Sequence, residues 1–338
     1  GYTLYAHNGI SFDYPVLERL WDCDFDGFTR RDTLVLSRLA VPSRDGGHSL
    51  QSWGERLNFP KGDYDGGWDT YSPEMGAYCE QDTAVMRKML STLEQELVGF
   101  DERSVQLEHD TQEIISGQVA NGWLLDQGIC YDLLAELKER QFELEDEVHE
   151  RFRPRVVKVG DIVPRVKKDG TMSVVGLKYL GDSCLKLVGG PHSRIDFVEF
   201  NLGSRQQIGD YLMAFGWKPK KFTDTGQPVV AEEELEGVQG IPEAKLIADY
   251  LMVQKRIASV QSWLEAAAGD GRVHGYVNSN GAVTGRMTHS GPNMAQVTSA
   301  RKPYGARMRS AWIAKPGYKI VGVDAEQMEL RLLAHYMN

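Results

Sequence analysis

The sequence predicts a mixed chain of helices and strands, of the α/β (α+β) class, divided into more than one domain. Three observations predict this class. Long segments repeat apolar residues at the 3.6-residue spacing of helices, a central segment has short β-branched runs between turns, and a C-terminal apolar run is typical of a buried strand. The length of 338 residues is more than one hydrophobic core usually holds, which predicts two or three domains.

Two helices are predicted in the N-terminal third. Apolar spacing predicts one over residues 14–21, and residues 72–74 (Ser-Pro-Glu) predict the start of another that continues towards Leu93. Ser72 is a favourable N-cap, because its hydroxyl can accept a hydrogen bond from a first-turn N–H. Pro73 fits the first helical position, where its missing N–H would have no intrahelical partner.

Two long charged helices follow, over residues 101–118 and 131–153, with Asn121-Gly122 between them and Pro154 after the second. Residues 155–200 then change in composition, because β-branched pairs alternate with glycine-containing turns. This composition predicts a small β-rich insertion. Its strand pairs are residues 156–157, 162–163 and 174–175, and its hairpin turn is residues 168–171 (Lys-Asp-Gly-Thr).

Helical spacing returns at residues 204–215 and 243–268, and residues 273–298 are expected to be extended and rich in loops. Residues 318–323 (YKIVGV) predict a buried strand that leads directly into a helix through residues 328–333.

The composition excludes several classes of protein. Hydrophobic residues make up 41% and charged residues 25% of the chain, as in ordinary globular proteins. No uninterrupted apolar run approaches the roughly 18 residues of a membrane span, and the first residues lack the basic and apolar regions of a signal peptide. The four cysteines form no CxxC pair, so reduced thiols, a cytoplasmic location and no membrane contact are expected.

Charge is unevenly distributed along a chain whose net charge is −10. Residues 92–150 contain 16 acidic and 3 basic residues, whereas residues 151–186 contain 9 basic and 3 acidic ones. Residues 301–319 contain 6 basic residues and no acidic one. The two basic segments are therefore candidates for phosphate contacts, although a solvated protein face fits them equally well on charge alone.

Asp324 is the first candidate metal ligand, because it is predicted to end the buried strand and open a helix. The strand would fix its backbone, and the carbonyl of Ala325 would supply a second oxygen. Magnesium takes few protein oxygens and keeps positions for substrate phosphates. A simple helix N-cap is the alternative interpretation of Asp324.

The longer string at residues 324–336 (DAEQMELRLLAHY) resembles motif A of family A DNA polymerases. The preceding blocks agree in order: residues 280–296 resemble the family's TGR and PN-x-x-Q segments, and residues 301–312 resemble the arginine-bearing stretch before motif A. Segments further upstream are similar to the replicative polymerases of short-tailed bacteriophages; they are residues 31–38, 49–57, 216–219 and 250–256.

The N-terminal region resembles DEDD 3′–5′ exonucleases. Residues 8–13 match their N-x3-F-D motif and residues 78–82 match their Y-x3-D motif. The resemblance implies four regions: a partial RNase H-like exonuclease domain (1–95), helices of a thumb (96–153 and 201–272), a β-rich thumb insertion (154–200) and the first part of an antiparallel-sheet palm (273–338).

The resemblance also implies the site residues of the polymerase. Asp324 and the Ala325 backbone would hold metal at a centre that uses two Mg²⁺ ions, and Glu329 would exclude ribonucleotides beside the sugar 2′ position. A solvated helix residue is the alternative interpretation of Glu329. The DNA contacts implied near motif A are Arg286, Gln296 and Arg309. Pairing of Arg286 with an acidic residue is the alternative for that position.

For the exonuclease, Asp13 and Asp82 would share metal while Tyr78 orients the attacking water. Tyr78 and Asp82 are four residues apart, so on a helix they share one face. Asp13 has a plainer alternative as the N-cap of the helix at residues 14–21. In the insertion, Arg165, Lys167 and Lys168 are expected to contact DNA directly or to belong to a surface for a processivity factor such as host thioredoxin.

The resemblance implies a subunit or fragment of a DNA-directed DNA polymerase that acts on primer–template DNA and dNTPs, with 3′–5′ proofreading, in phage replication in the host cytoplasm. The D-x-E motif, the fingers and the second palm carboxylate lie outside this sequence. Complementary polymerase chains are expected to supply them, and the isolated chain is expected to be inactive. A non-catalytic DNA-binding remnant and a stand-alone DEDD-type exonuclease stay open as alternatives.

Overall fold

A computed structural model describes residues 2–170, 173, 177 and 190–337. The chain forms two compact units: unit 1 comprises Gly1–Tyr131 and Val260–Asn338, and unit 2 comprises Asp132–Ser259. This division is coarser than the four regions expected from the sequence, which stay a prediction. Helices and strands are mixed throughout, so the predicted α/β (α+β) class is confirmed.

Unit 1 begins with a parallel pair of strands, in which Thr3 lies opposite Thr29. Helices pack around this pair. The elements are β1 (Thr3–Ala6), α1 (Asp13–Trp21), β2 (Thr29–Asp32), α2 (Thr33–Ala40), α3 (Leu50–Arg56), α4 (Pro73–Glu96) and α5 (Glu102–Asn121).

Helices α2 to α5 share a core centred on Trp53, which is fully buried with Met89 and Leu93. The indole Nε1 of Trp53 donates to Ser37 Oγ over 3.0 Å, so its one polar atom is satisfied inside the core. Each fully buried side chain of this size contributes about 1.5–3 kcal/mol. This core fixes α4 against α2 and α3, which matters because α4 presents Tyr78 and Asp82.

The local helix signals of the sequence are confirmed. Ser72 caps α4, and its hydroxyl accepts a hydrogen bond from the Met75 amide over 3.1 Å, with Pro73 at the first helical position. The break between the two long helices lies at Gly122, whose φ of +64° is left-handed. Glycine adopts this backbone region readily because it has no Cβ.

The C-terminal part of unit 1 contains short strands. β3 (Trp123–Leu124) pairs with β6 (Arg272–Val273), and β7 (Tyr276–Asn278) pairs with β8 (Thr288–Ser290), both antiparallel. Around them lie a 3₁₀ helix (Met294–Gln296), α10 (Gly305–Ser310) and α11 (Met328–Met337). The last of these elements confirms the helix predicted through residues 328–333.

The buried strand predicted over residues 318–323 is wrong. The segment pairs with no strand among the described residues, and Val323 is 94% exposed. An apolar run becomes a buried strand only where a neighbouring strand accepts its backbone hydrogen bonds and a packed face covers its side chains. The described residues supply neither here.

Unit 2 contains most of α6 (Gln127–Arg151) and α9 (Pro242–Ala266), together with α7 (Arg205–Ala214) and α8 (Glu232–Glu236). Its core is aromatic at one end, where the Phe152 and Phe200 rings stack with centroids 4.5 Å apart and Tyr211 lies beside both. Ser204 caps α7 by accepting from the Gln207 amide over 3.3 Å. The predicted helices at 131–153, 204–215 and 243–268 are therefore confirmed within a few residues.

The insertion in unit 2 is built on an antiparallel pair, β4 (Arg155–Ile162) and β5 (His192–Val198), with a register shift between Lys158 and Gly160. The predicted turn at residues 168–170 is present, since the Gly170 amide donates to Lys167 O over 3.0 Å and Gly170 has a φ of +79°. Thr171 and the predicted strand residues 174–175 lie outside the described residues. None of the described helices combines the length and the apolar composition that a membrane span requires.

Candidate functional site

The turn that precedes Asp13 is held by a buried carboxylate. Asp32 is 1% exposed, and its Oδ1 accepts from the Asn8 amide over 2.8 Å while its Oδ2 accepts from the Ile10 amide over 3.2 Å. The same Oδ1 caps α2 by accepting from Leu34 N over 2.9 Å. Asn8 has a φ of +67°, a left-handed conformation that asparagine tolerates better than most residues. The backbone amide of Asn8, held by Asp32, therefore helps to fix the turn before Asp13.

Asp32 is a residue that the sequence analysis missed as part of this site. The available signal was an aspartate directly before an apolar run, which is the ordinary pattern of an N-cap. His109 completes the arrangement from α5, because its Nε2 accepts a hydrogen bond from Asp32 N over 2.9 Å. His109 is 1% exposed and both of its ring nitrogens have hydrogen-bond partners, so it is a satisfied core histidine.

Asp13 occupies the first turn of α1 and does not cap it. The N-cap residue is Phe12, which makes no side-chain cap hydrogen bond, so the N-cap interpretation of Asp13 is not what the structure shows. The Asp13 carboxyl is half-buried. Burial, followed by the nearby Asp32 carboxylate, raises the pKa of Asp13. Both effects disfavour the negatively charged form of Asp13, and a cation bound beside the carboxylate would stabilise that form.

Tyr78 and Asp82 share one face of α4 and meet the side chain of Lys61, which comes from the loop before the helix. The Lys61 ammonium lies 3.2 Å from Asp82 Oδ2 and 4.8 Å from the centroid of the Tyr78 ring. Burial raises the pKa of Asp82, while its contact with Lys61 lowers it to a smaller extent. Burial alone would lower the pKa of Lys61, but its hydrogen bonds with Tyr78 and Asp82 raise it overall.

The second carboxylate oxygen of Asp82, Oδ1, is buried and has no hydrogen-bond partner among the described residues. A buried, partnerless carboxylate oxygen is the kind of ligand that a hard divalent cation binds. Asp82 therefore fits a metal role. The described residues contain no cluster of three or more aspartate, glutamate, histidine or cysteine side chains that could hold a metal ion. Asp13 and Asp82 are therefore not joined in such a cluster in this structure.

Arg286 and Glu329, two predicted polymerase residues, are brought together. Arg286 follows the turn of the β7–β8 hairpin, and its Nη2 lies 3.4 Å from Oε1 of Glu329 on α11. Both side chains are more than three-quarters exposed, so this contact contributes little to stability. The alternative interpretation of Arg286, pairing with an acid, thus describes its contact in this structure.

Arg309 contacts the segment that directly follows Gln296. Arg309 on α10 donates from Nε to Thr298 O over 2.9 Å and from Nη2 to Val297 O over 3.2 Å. These bonds fix the segment directly after the 3₁₀ helix that carries Gln296. Arg309 therefore organises the backbone next to an exposed glutamine, and Gln296 keeps its amide accessible to solvent.

Asp324 and Ala325 lie in an exposed segment without helix or strand. The expectation that Asp324 ends a strand and begins a helix is wrong in this structure, because α11 starts only at Met328. Glu329 consequently does not share a helix with Asp324. The segment provides no fixed cradle for Mg²⁺ among the described residues, so the oxygen pair of Asp324 and Ala325 does not by itself fit a metal site here.

The basic residues of the insertion, Arg165, Lys167 and Lys168, are all exposed beside the turn at residues 168–170. The backbone of Arg165 is tied down, since its carbonyl accepts from Ser173 N over 2.7 Å. Three cations at one tight turn give a local positive surface, which favours an anionic partner.

Known proteins resemble this chain in fold. The POL domain of Pol1 from M. smegmatis, solved in complex with a DNA primer-template and dNTP, superposes with a TM-score of 0.64 at 20% sequence identity, covering 91% of this chain and 45% of that one. The chain thus resembles part of a polymerase domain in fold.

Sequence comparison finds similarity to DNA polymerases. The DNA polymerase family A model matches residues 183–338. The DNA-directed DNA polymerases of Enterobacteria phage T3 and Escherichia phage T7 are 32% and 33% identical, and each match covers 100% of this chain and 62% of the relative. DNA polymerase I of Pseudomonas aeruginosa is 31% identical over 52% of this chain and 20% of its own length. The C-terminal part of the chain is thus similar to DNA polymerases of family A, and the chain spans about three-fifths of the length of the phage relatives it matches.

Proposed function

We propose that this chain is part of a replicative DNA-directed DNA polymerase that extends a primer on template DNA with dNTPs. The observation that carries the proposal is the similarity to two phage DNA-directed DNA polymerases along the entire chain. The motif A resemblance at residues 324–336 supports it, since that string lies within the segment matched by the family.

The proposed polymerase centre uses Asp324 and the Ala325 carbonyl as oxygen ligands for one of two Mg²⁺ ions. Magnesium neutralises charge that develops on the transferred phosphoryl group. Because residues 318–327 have no strand or helix in this structure, the proposal requires that this segment be packed against further structure in the complete enzyme. Sequence similarity, and not a preformed cradle, supports these ligands.

Arg286, Gln296 and Arg309 are proposed to face the primer–template near the growing end. A single arginine can reach minor-groove acceptors, which look alike across base pairs and therefore report base-pair geometry. Glu329 is proposed to exclude the ribose 2′-hydroxyl. The exposed contact between Arg286 and Glu329 is weak enough for DNA and nucleotide to replace it.

A 3′–5′ exonuclease is proposed for the N-terminal region, with Asp13 and Asp82 as metal ligands and Tyr78 orienting water. The buried Oδ1 of Asp82, which has no hydrogen-bond partner in the described part of the chain, supports the metal role. The half-buried Asp13 carboxyl, with its raised pKa, supports a second ligand. In the insertion, Arg165, Lys167 and Lys168 are proposed to contact DNA, and a processivity factor such as host thioredoxin is the competing partner for the same surface.

The test uses the complete enzyme with every motif of the family. Asp324→Ala is expected to abolish primer extension while DNA affinity changes less than about threefold, because the lost group acts on the reacting phosphate. Glu326→Ala, two residues further along the same exposed segment, is the matched control and is expected to keep extension. Near-normal extension by Asp324→Ala would refute the assignment. Failure of the unaltered enzyme to extend a primer would favour a non-catalytic DNA-binding role.

A further inference from the structure

Lys61 bridges the two α4 residues assigned to the exonuclease centre. Its ammonium lies 3.2 Å from Asp82 Oδ2 and 4.8 Å from the Tyr78 ring centroid. All three side chains are partly buried, so the contacts are less screened by solvent than exposed ones. No motif pointed to Lys61, because it lies in the loop between α3 and α4.

The backbone of Lys61 is held between α3 and α4. On the α3 side, a Cβ added at Gly54 would lie 3.0 Å from Lys61 N and 3.0 Å from Phe59 O, so the glycine permits close approach of the loop. On the α4 side, Gln81 Nε2 donates to Pro60 O over 2.7 Å. These two contacts place the root of the lysine side chain directly beside α4.

The charge around Lys61 argues for a local role. The other charged residues of the loop before α4 are acidic: Asp63, Asp65 and Asp69. An acidic loop repels a DNA backbone, so it is unsuited to general phosphate binding. The single cation of this loop lies at Asp82, where it faces a carboxylate and a phenol ring.

We propose that Lys61 is a positioning residue of the 3′–5′ exonuclease centre, which holds the Tyr78 ring and the Asp82 carboxylate in their relative orientation. The inference rests on the exonuclease activity proposed above. By pairing with Oδ2, Lys61 turns the partnerless Oδ1 of Asp82 towards a cation. By lying against the Tyr78 ring, it restricts the direction of the phenol hydroxyl, the group assigned to orient water.

The test compares Lys61→Met with Lys61→Arg and with Lys88→Met in the complete enzyme. Lys88 is the matched control, because it lies 3.7 Å over the Phe59 ring, is exposed and belongs to the same helix–loop region, but has no contact with Asp82. On single-stranded DNA with Mg²⁺, Lys61→Met is expected to lower kcat roughly 100-fold, the scale of one positioned polar group, with KM changed less than about threefold. Lys61→Arg is expected to recover part of kcat, and Lys88→Met to match the unaltered enzyme.

A second measurement does not depend on activity. Binding of Mn²⁺, followed by electron paramagnetic resonance, is expected to weaken several-fold in Lys61→Met at the site abolished by Asp82→Asn, because Oδ1 of Asp82 is no longer held towards the cation. Lys61→Arg is expected to recover part of this binding, and Lys88→Met to leave it unchanged. Unfolding of the region would also slow primer extension, whereas loss of the positioning role leaves primer extension unchanged.

The two hypotheses fail separately. If the unaltered complete enzyme shows no exonuclease activity, the proposed exonuclease function is wrong. Mn²⁺ binding that is the same in Lys61→Met and Lys88→Met overturns the role of Lys61 as well. If the unaltered enzyme is active and Lys61→Met keeps its kcat, the exonuclease stands and the inference about Lys61 is overturned.

Discussion

Replacing Asp32 with asparagine tests whether one buried carboxylate holds the turn of residues 8–10. The carboxylate accepts three backbone amides, from Asn8, Ile10 and Leu34, and is 1% exposed. An asparagine side chain has only one acceptor oxygen, and its NH2 group is a donor. The substitution therefore preserves shape but sets a donor against a backbone N–H.

The magnitude follows from the three bonds. A hydrogen bond to a charged acceptor contributes about 1.5–3 kcal/mol and a neutral one about 1 kcal/mol. The bond from Ile10 is lost at a cost of about 2 kcal/mol, and the two bonds to Oδ1 each weaken by about 1 kcal/mol when the charge is removed. The free energy of local opening of β1, β2 and the turn is thus expected to fall by about 4 kcal/mol.

Amide hydrogen exchange of peptides covering residues 3–40 measures this local opening. A loss of about 4 kcal/mol corresponds to exchange roughly a thousand-fold faster. Asp101→Asn is the matched control: Asp101 also caps a helix, its Oδ1 accepts from Arg103 N over 2.8 Å, and it is exposed, where asparagine caps equally well. Exchange in residues 3–40 that speeds up less than tenfold in Asp32→Asn would refute the reasoning.

Three further predictions concern charge and selectivity. Burial lowers the pKa of His7 to about 4, so between pH 6.5 and pH 4 the unfolded chain binds a proton that the folded chain does not. The free energy of unfolding is therefore expected to fall by about 3 kcal/mol as the pH falls from 6.5 to 4. His7→Gln is expected to remove this part of an acid-denaturation profile. Glu329→Ala is expected to raise ribonucleotide incorporation at least tenfold more than it lowers dNTP incorporation, and unchanged sugar selectivity would contradict its role. Glutamine at Arg165, Lys167 and Lys168 together is expected to reduce the salt slope of DNA binding by about 2–3, whereas an unchanged slope with lost thioredoxin capture would favour the processivity factor.

Features that depend on a few neighbouring residues can be predicted from the sequence alone. Ser72 caps α4 through an amide three residues further on, and Gly122 ends α5 because its own backbone adopts a left-handed φ. The apolar spacing over α6 and α9 predicts helices that bury one face, and both helices are present. The similarity to family A DNA polymerases is also a property of the sequence, since the strings at residues 280–296 and 324–336 carry it without any reference to folding.

Which distant groups come into contact depends on the packing of the folded chain. Asp32 reaches the Asn8 amide across 24 residues, and Lys61 reaches Asp82 from a separate loop; no periodic pattern encodes either contact. The same reason explains the error at residues 318–323. An apolar run specifies that a strand is favourable, but a strand exists only where another segment satisfies its backbone groups and covers its side chains, and that is decided by the packing of the whole chain.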